Sequence, residues 1–535
     1  YGISGPFWYA AGGTLQILLF AIISVQLKIR APGAKTFLQL IQARFDKSTH
    51  IVFCVFALIT NIIVTAMLML GGTAVMTNLI QEFSIEVGTI MTCGVIACYT
   101  FIGGLGATFY VSYFNTAIIF IIMLIFIMKI YFDPNAMSEE NPLGSSDIAY
   151  EYLRCALAPE GNYNGSYLTF LSLGGLMFGI INIVGLFGTV FVDQSYWQSS
   201  VAAKPKEGVW GFLSGGLVWF AVPFGFATTT GLAYISLSAR QGTPLLTPSQ
   251  VDEGLVPPVI AQRLLGHSGE IMLVTAIVMA ITSTGSAEVM AVTSILVYDI
   301  YAIYWKPYRS TTDMNTCILC GRQRGRLASV RDKCLCESMT FCQDCERDTQ
   351  ERILCKRAIK PSYQCKMHGA YRTYKEYLNV LKNWGILITI VAIIPLTLIL
   401  SYMSISLGWL FLFMGVLIGS AVVPVTLALF WTGLTGFGMT FGTLFGTIGG
   451  LISWLATAST YPGGLSAGNF IKNSGENIPM LVGNVFSMVM GAIVTFISSL
   501  VHRRLRECPP ADESIWELTR DVDNPLSPWT ELYAA

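Results

Sequence analysis

Eleven mostly apolar stretches succeed one another along the chain, near residues 5–27, 50–80, 86–106, 108–130, 168–191, 209–236, 268–300, 384–406, 407–431, 435–457 and 478–500. About 20 apolar residues, rising about 1.5 Å each as a helix, cross the roughly 30 Å of a bilayer's hydrocarbon. Each stretch is therefore predicted to be a spanning helix. The third and fourth are parted only by Gly103-Gly104-Leu105-Gly106, which reads as a tight glycine turn. The expected fold class is an all-α polytopic membrane protein.

Composition agrees with the pattern. Of 535 residues 53% are hydrophobic and 12% charged, whereas about 25% is usual in soluble domains. The mean hydropathy is +0.59. The formal net charge is zero, which gives no basis for a nucleic-acid partner. Tyr1 leads almost directly into an apolar run with no basic n-region or cleavage site, so a segment before residue 1 is expected.

Charge also predicts orientation. Lys28, Arg30, Lys35, Arg44 and Lys47 follow the first span, Lys204 and Lys206 the fifth, and His502, Arg503, Arg504 and Arg506 the last. With eleven spans all fall on one side, which the positive-inside rule makes cytoplasmic. The C-terminus is then cytoplasmic and the plasma membrane the expected host. The acidic segment between spans four and five falls outside and carries Asn164-Gly165-Ser166, a glycosylation acceptor pattern. The organisation is helices over 1–304, a loop over 305–382, helices over 383–505 and a cytoplasmic tail over 506–535.

The 305–382 loop breaks the membrane composition, with 16 of the 32 Lys and Arg and 8 of the 13 Cys. Cys317, Cys320, Cys334, Cys336, Cys342, Cys345, Cys355, Cys365 and His368 supply nine N/S donors at short spacings. A cytosolic setting argues against structural disulfides, so these residues point to structural zinc, up to two tetrahedral sites. A basic loop of reduced thiols is the alternative. The loop could also receive a cytosolic protein.

Residues 281–301 read ITSTGSAEVMAVTSILVYDIY, an unusual polar cargo for a span. As a helix they place Ala280, Ser283, Thr284, Ala287, Ala291 and Ser294 within roughly one 100° face. Small residues suit close helix packing. Two adjacent hydroxyls and a nearby carbonyl can also supply oxygens to Na⁺, so Ala280, Ser283 and Thr284 are candidate cation ligands. Glu288 borders this face, and a carboxyl inside a span marks a substrate or proton path more often than a purely structural group. A second cluster, Asp193, Gln194, Trp197 and Gln198, ends span five; it could bind a small polar solute or anchor the helix at the interface. Asp299-Ile300-Tyr301 reads as a helix end at the cytoplasmic surface.

These stretches together resemble the sodium:solute symporter family. Asp193-Gln194-x-x-x-Gln198 with Ala202-Ala203-Lys204 is similar to its DQxxxQRxxAAK motif, Gly103-Gly104-Leu105-x-Ala107 to its GGLxA turn, and Ser283-Thr284 to its sodium-site pair. Residues 1–9 (YGISGPFWY), 187–198 (FGTVFVDQSYWQ), 283–288 (STGSAE) and 317–321 (CILCG) resemble the urea-transporting branch of plants and fungi. The resemblance implies an inverted five-plus-five (leucine-transporter-like) helix repeat with extra C-terminal helices. It further implies alternating access and uptake of urea, with polyamines as a further substrate, coupled to H⁺ or Na⁺, rather than enzyme catalysis. It implies too that the first core helix, with the other half of the sodium site, precedes Tyr1. Ser199 replaces the motif's Arg, Leu186 an Asn of the urea branch, and Ser112 an Asp found after the GGLxA turn, so gate and substrate contacts can differ. A symporter for proline, choline or a sugar, and a solute sensor signalling through the Cys-rich loop, are the other readings.

Overall fold

The computed structural model describes residues 1–80, 83–133, 142–307, 366–403, 405–506, 515–520 and 522. Helices α1 (Ser4–Arg30), α2 (Phe37–Arg44), α3 (Lys47–Leu79), α4 (Ile85–Tyr131), α5 (Ser146–Cys155), α6 (Leu173–Phe191), α7 (Gln194–Ala202) and α8 (Pro205–Gln241) form the first half. Short α9 (Pro248–Asp252) leads into α10 (Val256–Ser294), which continues as a π-helix over Ile295–Trp305. Then come α11 (Lys366–Tyr402), α12 (Leu407–Phe430), α13 (Gly436–Ser459), α14 (Phe470–Ser474), α15 (Asn477–Leu505) and α16 (Ile515–Arg520). Ten helices are long and apolar enough to cross a membrane, and Ile85–Phe101 is a shorter apolar one. These segments correspond to the eleven apolar runs.

Helix starts are written in the sequence as side-chain caps. Asp46 accepts from Ser48 N and Thr49 N at the start of α3, Ser172 from Gly175 N at α6, Asp193 from Ser195 N at α7, and Thr435 from Gly438 N at α13. Each satisfies amides that a helix start otherwise leaves orphaned, which matters most where water is scarce. Gly242, at φ 76, ends α8 in the left-handed region.

α4 runs as one helix through the Gly103–Gly106 stretch where a glycine turn is expected. Ile96 lies against Gly285, and Ser112 lies 2.6 Å from the Ser283 hydroxyl. Residues 96 and 112 would be about 24 Å apart along a straight helix, yet they touch positions two residues apart on α10. α4 is therefore not straight between Ile85–Phe101 and Thr108–Tyr131, its two apolar legs.

The bundle has a basic end and an acidic end. Arg30, Arg44, Lys47, Lys204 and Arg503 sit at the first, with Arg44 donating to the Ala428 and Trp431 carbonyls that end α12. At the other end α5 docks on α8, where Ser236 donates to the Ala149 carbonyl, and Tyr1 donates to Asn477.

Small residues set the helix spacing of the C-terminal half. A Cβ on Gly446 of α13 would sit 2.6 Å from the Ser487 carbonyl oxygen and 2.7 Å from Gly491 Cα on α15. Without a hydrophobic drive between helices in lipid, such close backbone approach is a main source of cohesion. Gly446→Val is expected to destabilise the bundle by about 1–3 kcal/mol through overpacking. Gly94→Val, where no atom lies within 4 Å, should leave the thermal midpoint of the purified protein close to that of the parent.

Candidate functional site

A cavity of about 1630 Å³ enters the bundle from the acidic end. Exposed Ser249, Asp252, Lys472 and Glu476 line its mouth, where burial and the charge of neighbouring Glu253 push the Asp252 carboxyl up from its ordinary value. Tyr9, Trp219, Phe411 and Tyr196 line its walls, with the Tyr9 ring 6.0 Å from Trp219 and 5.6 Å from Phe411. Its floor holds Asp193, Gln198 and Glu288, which are 1%, 7% and 2% exposed.

One amide organises that floor. Asn61 Nδ2, at the middle of α3, donates to Asp193 Oδ1 at 2.6 Å and to Glu288 Oε2 at 2.7 Å. The two distances place the carboxyl oxygens no more than about 5 Å apart. Only the nitrogen end of an asparagine can serve two carboxylate acceptors at once. Asp193 Oδ1 also accepts from Ser195 N at 2.6 Å, while Asp193 Oδ2 and Asn61 Oδ1 are buried with no hydrogen-bond partner among the described residues. None of the ion pairs among the described residues reaches Asp193 or Glu288. Two like charges 5 Å apart repel by about 3 kcal/mol even at an effective dielectric of 20. Such a floor can chemically take up a proton or another positive or N–H-bearing group.

The candidate cation residues lie one turn toward the mouth. Ala280 and Thr284 are exposed to the cavity with Ser283 half-buried between them. Ser112, on the second leg of α4, pairs with the Ser283 hydroxyl. Ser286 donates to the Ser283 carbonyl at 3.0 Å and Asn115 to the Met279 carbonyl at 3.1 Å. Hydroxyls of Ser112, Ser283 and Thr284 form a patch of hard oxygens of the kind a small cation takes.

The structure divides the second cluster. Asp193 and Gln198 face the cavity, whereas Gln194 and Trp197 lie beneath it on the basic side. Gln194 Nε2 donates to the Lys35 carbonyl at 3.2 Å and its Oε1 accepts from Phe37 N at 3.4 Å. Trp197, fully buried, donates to the Phe191 carbonyl at 2.9 Å and stacks on Phe37 at 5.4 Å. These two residues seal the floor. Ser294 donates to Gln198 Oε1 at 3.1 Å and ties α7 to α10. Asp299, expected at the surface, is 0% exposed because Thr36 and His50 close over it.

Sequence reasoning missed Asn61, Tyr9 and Trp219. A lone asparagine in the run ALITNIIV was the available signal for Asn61, since uncharged amides are costly in hydrocarbon without partners. Asn164 is exposed at the acidic end in a one-turn helix, with φ 55. The candidate zinc ligands Cys317 through Cys365 lie outside the described residues, and only the backbone of His368 is placed, in α11.

The profile of the sodium:solute symporter family matches residues 1–318. The chain is 36% identical to a urea-proton symporter, DUR3, of Oryza sativa subsp. japonica, over 94% of this chain and 61% of the rice protein. It is 34% identical to probable urea active transporter 1 of Schizosaccharomyces pombe, over 94% of this chain and 65% of that one. A urea active transporter of Saccharomyces cerevisiae is 38% identical over 58% of this chain and 42% of its own length. The chain thus spans less than two thirds of the length of these relatives. A solved Na⁺-coupled sialic acid symporter, in a substrate-bound outward-open state, superposes with a TM-score of 0.54 at 13% identity, covering 93% of this chain and 88% of that one. That likeness supports the expected fold class, all-α with the inverted five-plus-five repeat. On the family profile and the relatives at 34% and 36% identity, the chain belongs to the sodium:solute symporter family.

Proposed function

We propose that this chain forms the membrane part of a secondary active transporter that takes up urea together with protons by alternating access. The observation that carries the reading is the Asn61 amide shared by two buried carboxyl groups at the floor of an aqueous cavity. A proton bound between Asp193 and Glu288 removes their repulsion. The acceptors left over, with Gln198, can take the N–H groups of a neutral planar solute. Tyr196, Tyr9 and Trp219 supply flat apolar wall. A site of donors' acceptors rejects an analogue without the N–H groups far better than an apolar pocket does. The names of the rice and yeast relatives agree with urea as the solute.

In this reading the basic end faces the cytoplasm, because Lys and Arg gather there, and the cavity opens outward. Glycosylation of Asn164 at the acidic end belongs to the same orientation, and the Cys-rich loop with its zinc lies inside. Sodium coupling is the second reading, favoured by the oxygen patch of Ser112, Ser283 and Thr284.

With protons as co-substrate, urea uptake by the full chain in oocytes should rise as external pH falls. Glu288→Gln should flatten that dependence, and a variant that keeps the parent's pH profile counts against the proton site. Asn61→Ala removes two hydrogen bonds to charged groups, worth about 1.5–3 kcal/mol each. Radiolabelled urea uptake should then fall by about tenfold or more at unchanged surface expression. On gels, the mobility shift produced by glycosidase should disappear in Asn164→Gln.

A further inference from the structure

Beneath the floor, on the basic side, lies a second buried polar cluster that the carboxyl pair does not involve. Asp299 Oδ1 accepts from the Thr36 hydroxyl at 2.8 Å and lies 3.5 Å from His50 Nε2. The other ring nitrogen of His50 is 2.6 Å from the Tyr304 hydroxyl. Thr36, His50 and Asp299 are each 0% exposed, and Asp299 Oδ2 has no hydrogen-bond partner among the described residues. A buried carboxyl with half its accepting capacity unused is costly for a purely structural joint.

The three residues come from separate elements. Thr36 caps α2, accepting from Gln39 N, and α2 in turn carries Phe37, which bonds to Gln194 and stacks on Trp197 under the floor. His50 lies in the first turn of α3, and Asp299 and Tyr304 on the π-helix that continues α10. Asn61 and Glu288, further along α3 and α10, meet at the floor, so these two helices are tied together above and below. The α2 segment is eight residues long and is joined to that pair at this level through Thr36. It lies against Gln194 and Trp197, on the basic side of the floor.

We infer that Asp299 is a gate-positioning residue: its bond to Thr36 clasps α2 over the floor and keeps the cavity closed toward the basic end. His50 and Tyr304 hold the carboxyl in place on the scaffold and leave it a partner when Thr36 withdraws. The inference rests on the alternating-access reading but not on urea or on the coupling ion, because its readout is the sidedness of the cavity.

The test uses the full chain with Ser199→Cys, at a cavity-lining position, labelled by a membrane-impermeant maleimide in right-side-out and inside-out vesicles and corrected for the parent without that cysteine. Asp299→Ala and Thr36→Val should each raise labelling from the basic side at least fivefold and lower it from the acidic side. Thr36→Ser, which keeps the hydroxyl, and Asp299→Asn, whose amide oxygen still accepts from it, should stay within twofold of the parent. If Asp299→Ala does not reach the membrane, the Thr36→Val and Thr36→Ser pair decides alone. Unchanged sidedness in the disrupted variants overturns the inference, as does an equal rise in the two conservative ones.

Discussion

Two carboxyl groups held near each other, away from bulk water, by a single neutral amide are the constraint around which this molecule is arranged. Asp193 caps α7, Glu288 sits in the C-terminal part of α10, and Asn61 in the middle of α3. Each lies on a different element, so the bridge exists only when three parts of the bundle are correctly packed. Left charged and unneutralised the pair is unfavourable, and it becomes comfortable when something positive or proton-bearing arrives. In the proposed transport function, the same unfavourable state that would weaken an ordinary core would supply affinity for cargo.

The cavity and the seal follow from where that floor lies. Above it the cavity walls are aromatic and the mouth carries a few charges. Below it Trp197, Phe37, Gln194 and the Thr36–Asp299–His50 cluster are buried. The glycine faces between α13 and α15 keep the C-terminal helices close, but they touch neither floor nor seal. Stability and function are in this way carried by different surfaces.

Much of the architecture was legible because lipid leaves the chain few choices. The eleven apolar runs follow from the length of helix that hydrocarbon requires. Glu288 and Asp193 stood out because carboxyls are rare in such surroundings. Their junction did not, since helical periodicity places residues around one axis and says nothing of which axes meet. Asn61 carried no charge to flag it. Gln194 and Trp197 looked like neighbours of Asp193 in sequence, yet α7 turns them to the opposite side of the floor. Asp299 looked like an interfacial residue because it ends a hydrophobic run; only the fold of α2 across it shows that it is buried.

The central claim, that the Asp193–Asn61–Glu288 floor carries a proton with the solute, is tested most directly by watching the proton. Voltage-clamped oocytes expressing the full chain, held in sodium-free medium at acid pH, should show an inward current and a fall in cytoplasmic pH when urea is added. A urea-evoked current that needs sodium, with cytoplasmic pH unmoved, would contradict the account.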